Sequence, residues 1–330
     1  MLFSKPLNKT NKINIGLIAP LSGSSADFGT EELKGINLAL LESDIANKIN
    51  IIAEDSANDP IKALSSFKKL IEIDKIDYLF GSMSSSGLVL RDEINKSQIL
   101  SFWIAAHPNL LKDNKYIIRN IATINNEINL IVNYLKEKDI NNCSVFYIND
   151  DFGTAARDSF VNNYNGDILE IQSYNKNSND FKSEIIKVIS KNPKALFIAG
   201  YGVETGILLR QIKELKYSGK IFGTIEISAS NTKLSAKDAI DGVIYTGYNI
   251  SNTFRDKCKE QMGVEVTPNI FMGYIQTKIL LEAIESTDGS KEKVREYILN
   301  KDKYDFGFGE IYLEDYEIIY PLELKELKYN

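Results

Sequence analysis

The chain has 330 residues, a hydrophobic fraction of 43% and a formal net charge of −6. That length suits two domains of roughly 100–200 residues each. Interspersed charge with no basic block argues against nucleic-acid or anionic-membrane binding. The two cysteines, Cys143 and Cys258, and the single histidine, His107, exclude a disulfide framework and are too few and too far apart for a metal site. No apolar run reaches the ~18 residues of a transmembrane helix.

Residues 1–12 read as an N-terminal extension, polar after Phe3. Leu2-Phe3-Ser4 is either the tail of a removed signal sequence or an ordinary frayed terminus. The first folded unit, Ile13 to Glu42, reads as a buried strand, a Gly/Ser/Pro-rich loop and an amphipathic helix. Nucleotide-binding proteins use the same layout. Here the loop from Pro20 to Gly29 has only Gly23 and Gly29 as glycines and carries no basic residue. It has neither the Gly-x-Gly-x-x-Gly nor the Gly-Lys-Ser/Thr pattern that phosphate binding requires.

Short apolar runs continue at Ile49–Glu54, Tyr78–Phe80, Ile99–Trp103, Ser144–Ile148, Ile168–Ser173, Ala195–Ala199, Ile221–Gly223 and Val243–Thr246. Continuous runs of this length suit strands buried on both faces of a parallel sheet. Helical spacing fills the gaps: Leu33, Ile36, Leu40 and Leu41, then Ile61, Leu64, Phe67, Leu70 and Ile71 behind the Asp59-Pro60 start signal. Further helices are expected at Asn125–Lys138, Asp151–Tyr164, Phe181–Ser190, Val203–Lys216, Asn252–Met262 and Asn269–Ser286. This alternation predicts an α/β fold of two doubly wound parallel-sheet lobes. The first sheet is expected to end near Arg119–Ala122, and the chain to finish with strand-like runs at Phe308–Leu313 and Glu317–Lys325.

Chemistry-bearing residues collect just after the predicted strands, where ligands bind in open α/β sheets. The loop Gly81-Ser82-Met83-Ser84-Ser85-Ser86-Gly87 brings hydroxyls and free N–H groups to a helix start, which suits a carboxylate. Trp103 and His107 flank Ile104-Ala105-Ala106 at another strand end. Trp103 reads as either core or cleft, and His107 as either a cap or a ligand contact. A Ser–His hydrolase is disfavoured because no Gly-x-Ser-x-Gly elbow is present. The second half offers Asn149-Asp150-Asp151-Phe152-Gly153, Gly200-Tyr201-Gly202 and Gly223-Thr224-Ile225-Glu226. These carboxylates and rings, without a cation, suit an ammonium group, although Asp150 and Asp151 also read as helix caps and Glu226 as a solvated loop residue. A carboxylate site facing an ammonium site has the polarity of a free amino acid.

The ordered pieces Ile15-Gly16, Pro20-Leu21-Ser22-Gly23, Phe28-Gly29 and Gly35 open a longer pattern. Asp55 with Asp59-Pro60, Gly81 before serines, Asn149 to Gly153, Gly200-Tyr201 and Asp241-Gly242-Val243 continue it. This pattern, from Ile13 to about Lys325, resembles the periplasmic branched-chain amino-acid binding proteins, the solute receptors of ABC importers. The resemblance implies two lobes joined by a three-segment hinge: 13–121 plus 250–315, and 122–249 plus 316–330. It implies a non-enzymatic receptor with no cofactor and no metal. The expected receptor is a periplasmic monomer that binds a small molecule and docks on permease subunits, with a signalling partner as the alternative. Carried onto matched positions, it assigns Ser85, with neighbouring Ser84, and Ala106 and His107 to the ligand carboxylate. Tyr201 and Glu226 fall to the amine end, and Phe28 and Phe152 to the cleft wall; Trp103 joins them from its strand end. Without a one-residue shift, Ile225 takes the place of Glu226. The chain departs from the pattern at His107, at Trp103-Ile104 and at Ile275. These departures open the ligand to amides, urea or other small acids as well as to leucine, isoleucine and valine.

Overall fold

The computed structural model describes residues 12–287, 289–307 and 309–329. Residues 1–11 of the expected extension and Phe308 of the expected late strand lie outside the described residues. The first lobe opens with β1 (Ile13–Ala19), α1 (Ala26–Leu41), β2 (Ile49–Asp55), α2 (Pro60–Glu72), β3 (Tyr78–Ser82), α3 (Ser84–Ser97), β4 (Ser101–Ile104) and β5 (Ile117–Arg119). Asp59 starts α2 as expected, its carboxylate accepting the Ile61 and Lys62 N–H groups ahead of Pro60.

The chain then builds a second sheet. It runs through α4 (Ile124–Glu137), β6 (Asn142–Ile148), α5 (Asp151–Asn163), β7 (Asp167–Tyr174), α6 (Lys182–Ile189), β8 (Ala195–Ala199), α7 (Gly202–Glu214), β9 (Lys220–Gly223), α8 (Ser230–Ala236) and β10 (Ile244–Tyr248). It returns through α9 (Asn252–Met262), α10 (Pro268–Ser286) and α11 (Lys291–Asn300), then closes with β11 (Lys303–Asp305), β12 (Glu310–Glu314), β13 (Glu317–Ile319) and β14 (Leu322–Glu326). α8 and α11 escape the sequence reading because they bury too little to show a period. α8 is only seven residues long, and α11 buries just Val294 and Ile298.

The first sheet has the order β11-β12-β13-β5-β4-β3-β1-β2 and the second β14-β10-β9-β8-β6-β7. In each, the order reverses beside the first-formed strand, β1 in one and β6 in the other. That reversal leaves a crevice at the carboxyl ends of the strands. The expected boundary at 315/316 moves. β13 pairs in parallel with β5 through Glu317 and Arg119, so the tail is still in the first sheet there. The transfer falls at Tyr320-Pro321, where proline lacks the N–H to continue a ladder, and β14 then pairs antiparallel with β10.

α1 lies directly on α10. A Cβ placed on Gly35 would stand 2.1 Å from the Ile270 carbonyl oxygen, and one on Gly273 would stand 2.3 Å from that of Glu32. The Gly35 expected within the first helix is therefore a backbone-to-backbone crossing point. This contact fixes the angle at which α1 presents its first turn to the crevice.

Candidate functional site

Two walls face each other across the crevice. On the first-lobe side β3 runs into α3 through Met83, whose φ of 78° lies in the left-handed region, a strained choice for a side chain with a Cβ. The turn is held on two sides: the Met83 N–H donates to the Ile104 carbonyl at 3.0 Å, and the Met83 carbonyl accepts the Trp103 indole N–H at 3.1 Å. The first turn of α3 thereby presents the N–H groups of Ser84, Ser85 and Ser86, which have no intrahelical acceptor. The following loop, Ala105 to Pro108, is pinned from behind by the buried Arg119 guanidinium. It donates to the carbonyls of Ala105 at 3.0 Å and His107 at 2.9 Å, and pairs with Glu317 at 3.2 Å.

On the second-lobe side Asp150 caps α5 by accepting the Gly153 N–H at 2.9 Å. Its other oxygen accepts the Tyr201 hydroxyl and lies 3.3 Å from the Lys176 ammonium. The capping reading holds for Asp150, which lies outside the cavity lining and reaches it only through Tyr201. The Tyr201 ring meets Phe28 of the first lobe edge-on at 5.5 Å and Phe152 at 5.6 Å. Between the walls lies a cavity lined by Phe28, Met83, Ser84, Ile104, Ala105, Ala106, Ile121, Phe152, Tyr201 and Glu226. Its water-accessible volume is about 30 Å³, against roughly 300–1,000 Å³ for a typical small-molecule site. The lobes are closed over the cavity.

The structure therefore gathers Phe28, Ser84, Ala106, Phe152, Tyr201 and Glu226 around one cavity, and leaves Ser85, Trp103 and His107 outside its lining. Ser85 is half-buried, one step along α3 from Ser84. Trp103 is fully buried in a separate apolar cluster with Leu79, Leu90 and Leu110. Strand alternation is the reason: Phe102 and Ile104 join the main core on one face of β4, so Trp103 points to the other. His107 caps a short turn, its Nδ1 accepting the Asn109 N–H at 3.1 Å. Burial holds its imidazole below the ordinary histidine range, partly offset by Asp151. The apolar contributors Met83, Ile104, Ala105 and Ile121 carry no signal in the sequence beyond their place at strand ends.

The seam between the lobes is hydrogen-bonded. The Asn231 N–H donates to Asp27 at 2.7 Å and its side-chain amide to the Ser24 carbonyl at 3.0 Å. Ser230 donates to Glu31 at 2.5 Å, and the Asn58 amide donates to the Tyr201 hydroxyl at 3.0 Å. Burial pushes the Asp27 carboxyl up to about 6, against the opposing effect of the Asn231 N–H.

Glu226 is 8% exposed, and its Oε2 has no hydrogen-bond partner. Burial pushes its carboxyl up to about 7, against the opposing effect of the neighbouring Thr224 hydroxyl. Glu127 lies next to this turn. One of its oxygens accepts the Ile225 N–H at 2.8 Å and the Thr246 hydroxyl, while Oε1 is unpartnered. Burial and the nearby Glu226 push Glu127 well above the carboxylate range. Among the described residues no ion pair involves either acid.

Two doubly wound lobes closing over a small cavity define a hinged receptor for a small molecule. The chain belongs to the periplasmic binding protein family, whose model matches residues 12–316. It is 25% identical over 247 residues to the Leu/Ile/Val-binding protein BraC3 of Rhizobium johnstonii, covering 71% of this chain and 67% of that protein. Its fold matches the branched-chain amino acid transporter substrate-binding protein LivJ of Streptococcus pneumoniae, solved with isoleucine. The TM-score is 0.89 at 18% identity, covering 96% of this chain and 97% of that one. A solute-binding protein of an ABC transporter from Rhodopseudomonas palustris, solved with 3,4-dihydroxybenzoic acid, matches with a TM-score of 0.85 at 19% identity, covering 96% and 93%.

Proposed function

We propose that the protein is a non-enzymatic extracytoplasmic receptor that closes on a free amino acid and delivers it, as a monomer, to an ABC permease. One observation carries the reading: Glu226 is buried on the cavity wall with an unpartnered carboxylate oxygen, opposite the open N–H groups at the start of α3. A ligand ammonium supplies the missing partner of Glu226, and a ligand carboxylate suits the α3 N–H groups and the helix dipole. Because the ligand touches both lobes, it favours the closed state by its differential affinity. The rings of Phe28, Phe152 and Tyr201 leave the remaining wall apolar, which suits a short aliphatic side chain. Relatives named for leucine, isoleucine and valine support the ligand class, and ABC-transporter neighbours support the route of delivery.

The neighbour solved with 3,4-dihydroxybenzoic acid marks the competing reading, an aromatic carboxylate. Such a ligand has no cation for Glu226 and leaves its buried oxygen unsatisfied. A thermal-shift and calorimetric panel of leucine, isoleucine, valine, alanine, benzoate and 4-hydroxybenzoate tests the two. An amino acid at 100 times its Kd adds about 2.7 kcal/mol of stability, and Glu226→Gln abolishes most of that gain. Binding of benzoate but of no amino acid, or unchanged amino-acid binding by Glu226→Gln, refutes the proposal.

A further inference from the structure

The acid behind the cavity wall is the part of the site that a simple receptor does not need. Glu127 is fully buried on α4, far in sequence from the turn that carries Glu226. It takes the N–H of Ile225, the residue immediately before Glu226, and stands close enough to Glu226 to feel its charge. Each keeps one oxygen without a partner, Oε1 of Glu127 and Oε2 of Glu226. The groups around them are hydroxyls: Thr246 on β10 donates to Glu127, the Thr224 hydroxyl opposes the effect of burial on Glu226, and Tyr248, its ring tilted against Tyr320 at 4.7 Å, accepts the Ala122 N–H on its hydroxyl. On two packed elements the cation is engaged elsewhere, Arg157 of α5 with Asp158 and Lys325 of β14 with Glu323. From the first lobe, the cavity lining presents only uncharged side chains.

Two buried carboxylates without a cation cannot both stay ionised at low cost. We infer that Glu127 and Glu226 hold one proton between them when the cleft is empty, and that Glu127 is the positioning residue that sets the charge of Glu226. One proton on the pair removes one of the two buried charges, which is the cheaper state in the absence of a cation. The upward shift of both groups agrees with this arrangement.

The functional consequence rests on the reading that the cleft takes an ammonium group. A cation seated on Glu226 displaces the shared proton to solvent, so uptake of ligand releases a proton. Affinity then falls with acidification, by up to tenfold per pH unit below the pair's upper titration step. Coupled groups titrate as a pair, and removal of either member collapses two steps into one.

Carboxyl titration by carbon-13 NMR on the full chain, labelled at glutamate and followed from pH 4 to 9, tests the pair without any ligand. In the native protein two carboxyls are expected with midpoints more than one unit apart, the upper near or above neutrality. In Glu127→Gln, where the amide carbonyl still accepts from Ile225 and Thr246, Glu226 is expected to titrate once, well below that upper step. Glu226→Gln is the reciprocal variant and serves alone if Glu127→Gln fails to fold. Superimposable curves for the remaining acid in native and variant protein, or two ordinary midpoints near pH 4–5, overturn the inference. A second measurement uses leucine calorimetry at pH 7 in phosphate and in Tris. Proton release that is clear in the native protein and at least halved in Glu127→Gln supports the pair, and equal release overturns it. Failure of leucine to bind either protein counts against the amino-acid reading of the cleft, while the carboxyl titration still decides the pair.

Discussion

Replacing Gly35 by alanine sets two effects of opposite sign against each other. Alanine in a helix interior is favoured over glycine by about 1 kcal/mol, so propensity alone predicts a more stable protein. The added Cβ, however, would lie 2.1 Å from the Ile270 carbonyl oxygen and 2.7 Å from the Tyr274 nitrogen. Those atoms belong to the backbone of α10 and cannot swing aside like a side-chain tip. Relief requires α1 and α10 to part by about 1 Å, and overpacking of this kind costs about 1–3 kcal/mol. The wedge also stands between a helical carbonyl and amide, whose bond contributes about 0.5–1.5 kcal/mol. The clash wins, and a net loss of about 1–3 kcal/mol is expected. Urea unfolding followed by circular dichroism measures it, with Asn37→Ala on the exposed face of the same helix as the propensity control. Stabilisation by both substitutions would refute the reasoning, because it would mean that the helices yield without cost.

Closure is expected to weaken as pH rises from 4 to 7. The Asp27 carboxyl is raised from 3.8 to about 6 in the closed form. Its protonation therefore favours closing, and the contribution is fully present below pH 4 and lost as pH passes 6. The span is at most about 3 kcal/mol. Lobe-to-lobe fluorescence energy transfer on ligand-free protein reads it, Asp27→Asn should flatten the curve, and a rise in closure with pH contradicts the assignment. Arg119→Met strands the carbonyls of Ala105 and His107 and the Glu317 carboxylate, with a loss of about 3–5 kcal/mol; a loss below 1 kcal/mol in urea titration would show that the loop holds itself. Trp103, fully buried on the far side of β4, should emit in the blue, resist iodide quenching and ignore ligand. A marked spectral change on ligand binding would return it to the cleft. Asn58→Ala removes one bond across the seam, that to Tyr201. At about 0.5–1.5 kcal/mol per bond, it should lower ligand affinity roughly 2- to 12-fold while leaving unfolding in urea nearly unchanged.

Much of the architecture is written in local chemistry. The apolar runs that become β1, β6 and β8 are continuous because both faces of those strands are covered, and Asp59-Pro60 marks the start of α2 without outside help. The loop after β1 shows by its missing glycines and cations that it does not hold phosphate. Other features have no local signature. β5 spans only three residues, and α11 is too polar to display a buried stripe. At the site, Tyr201 and Glu226 stand out as polar or aromatic residues at strand ends, whereas Met83, Ile104 and Ile121 are indistinguishable from core residues until the lobes face each other. Trp103 shows the opposite error: the sole tryptophan of the chain draws attention, yet its indole serves to hold the Met83 carbonyl from beneath.

Side-chain spacing along single segments thus determined the order of strands and helices, the doubly wound sheets and the position of the crevice at their carboxyl ends. Those properties depend on contacts within a few residues and on the fixed hand of strand–helix–strand units. Only the tertiary structure decided which face of β4 carries Trp103, that β13 stays with the first sheet, and that Glu127 stands behind Glu226. Each of these depends on residues brought together from distant parts of the chain, Glu127 and Ile225 being separated by 98 positions. No local pattern encodes a pairing of that range, because it exists only once the elements between have packed.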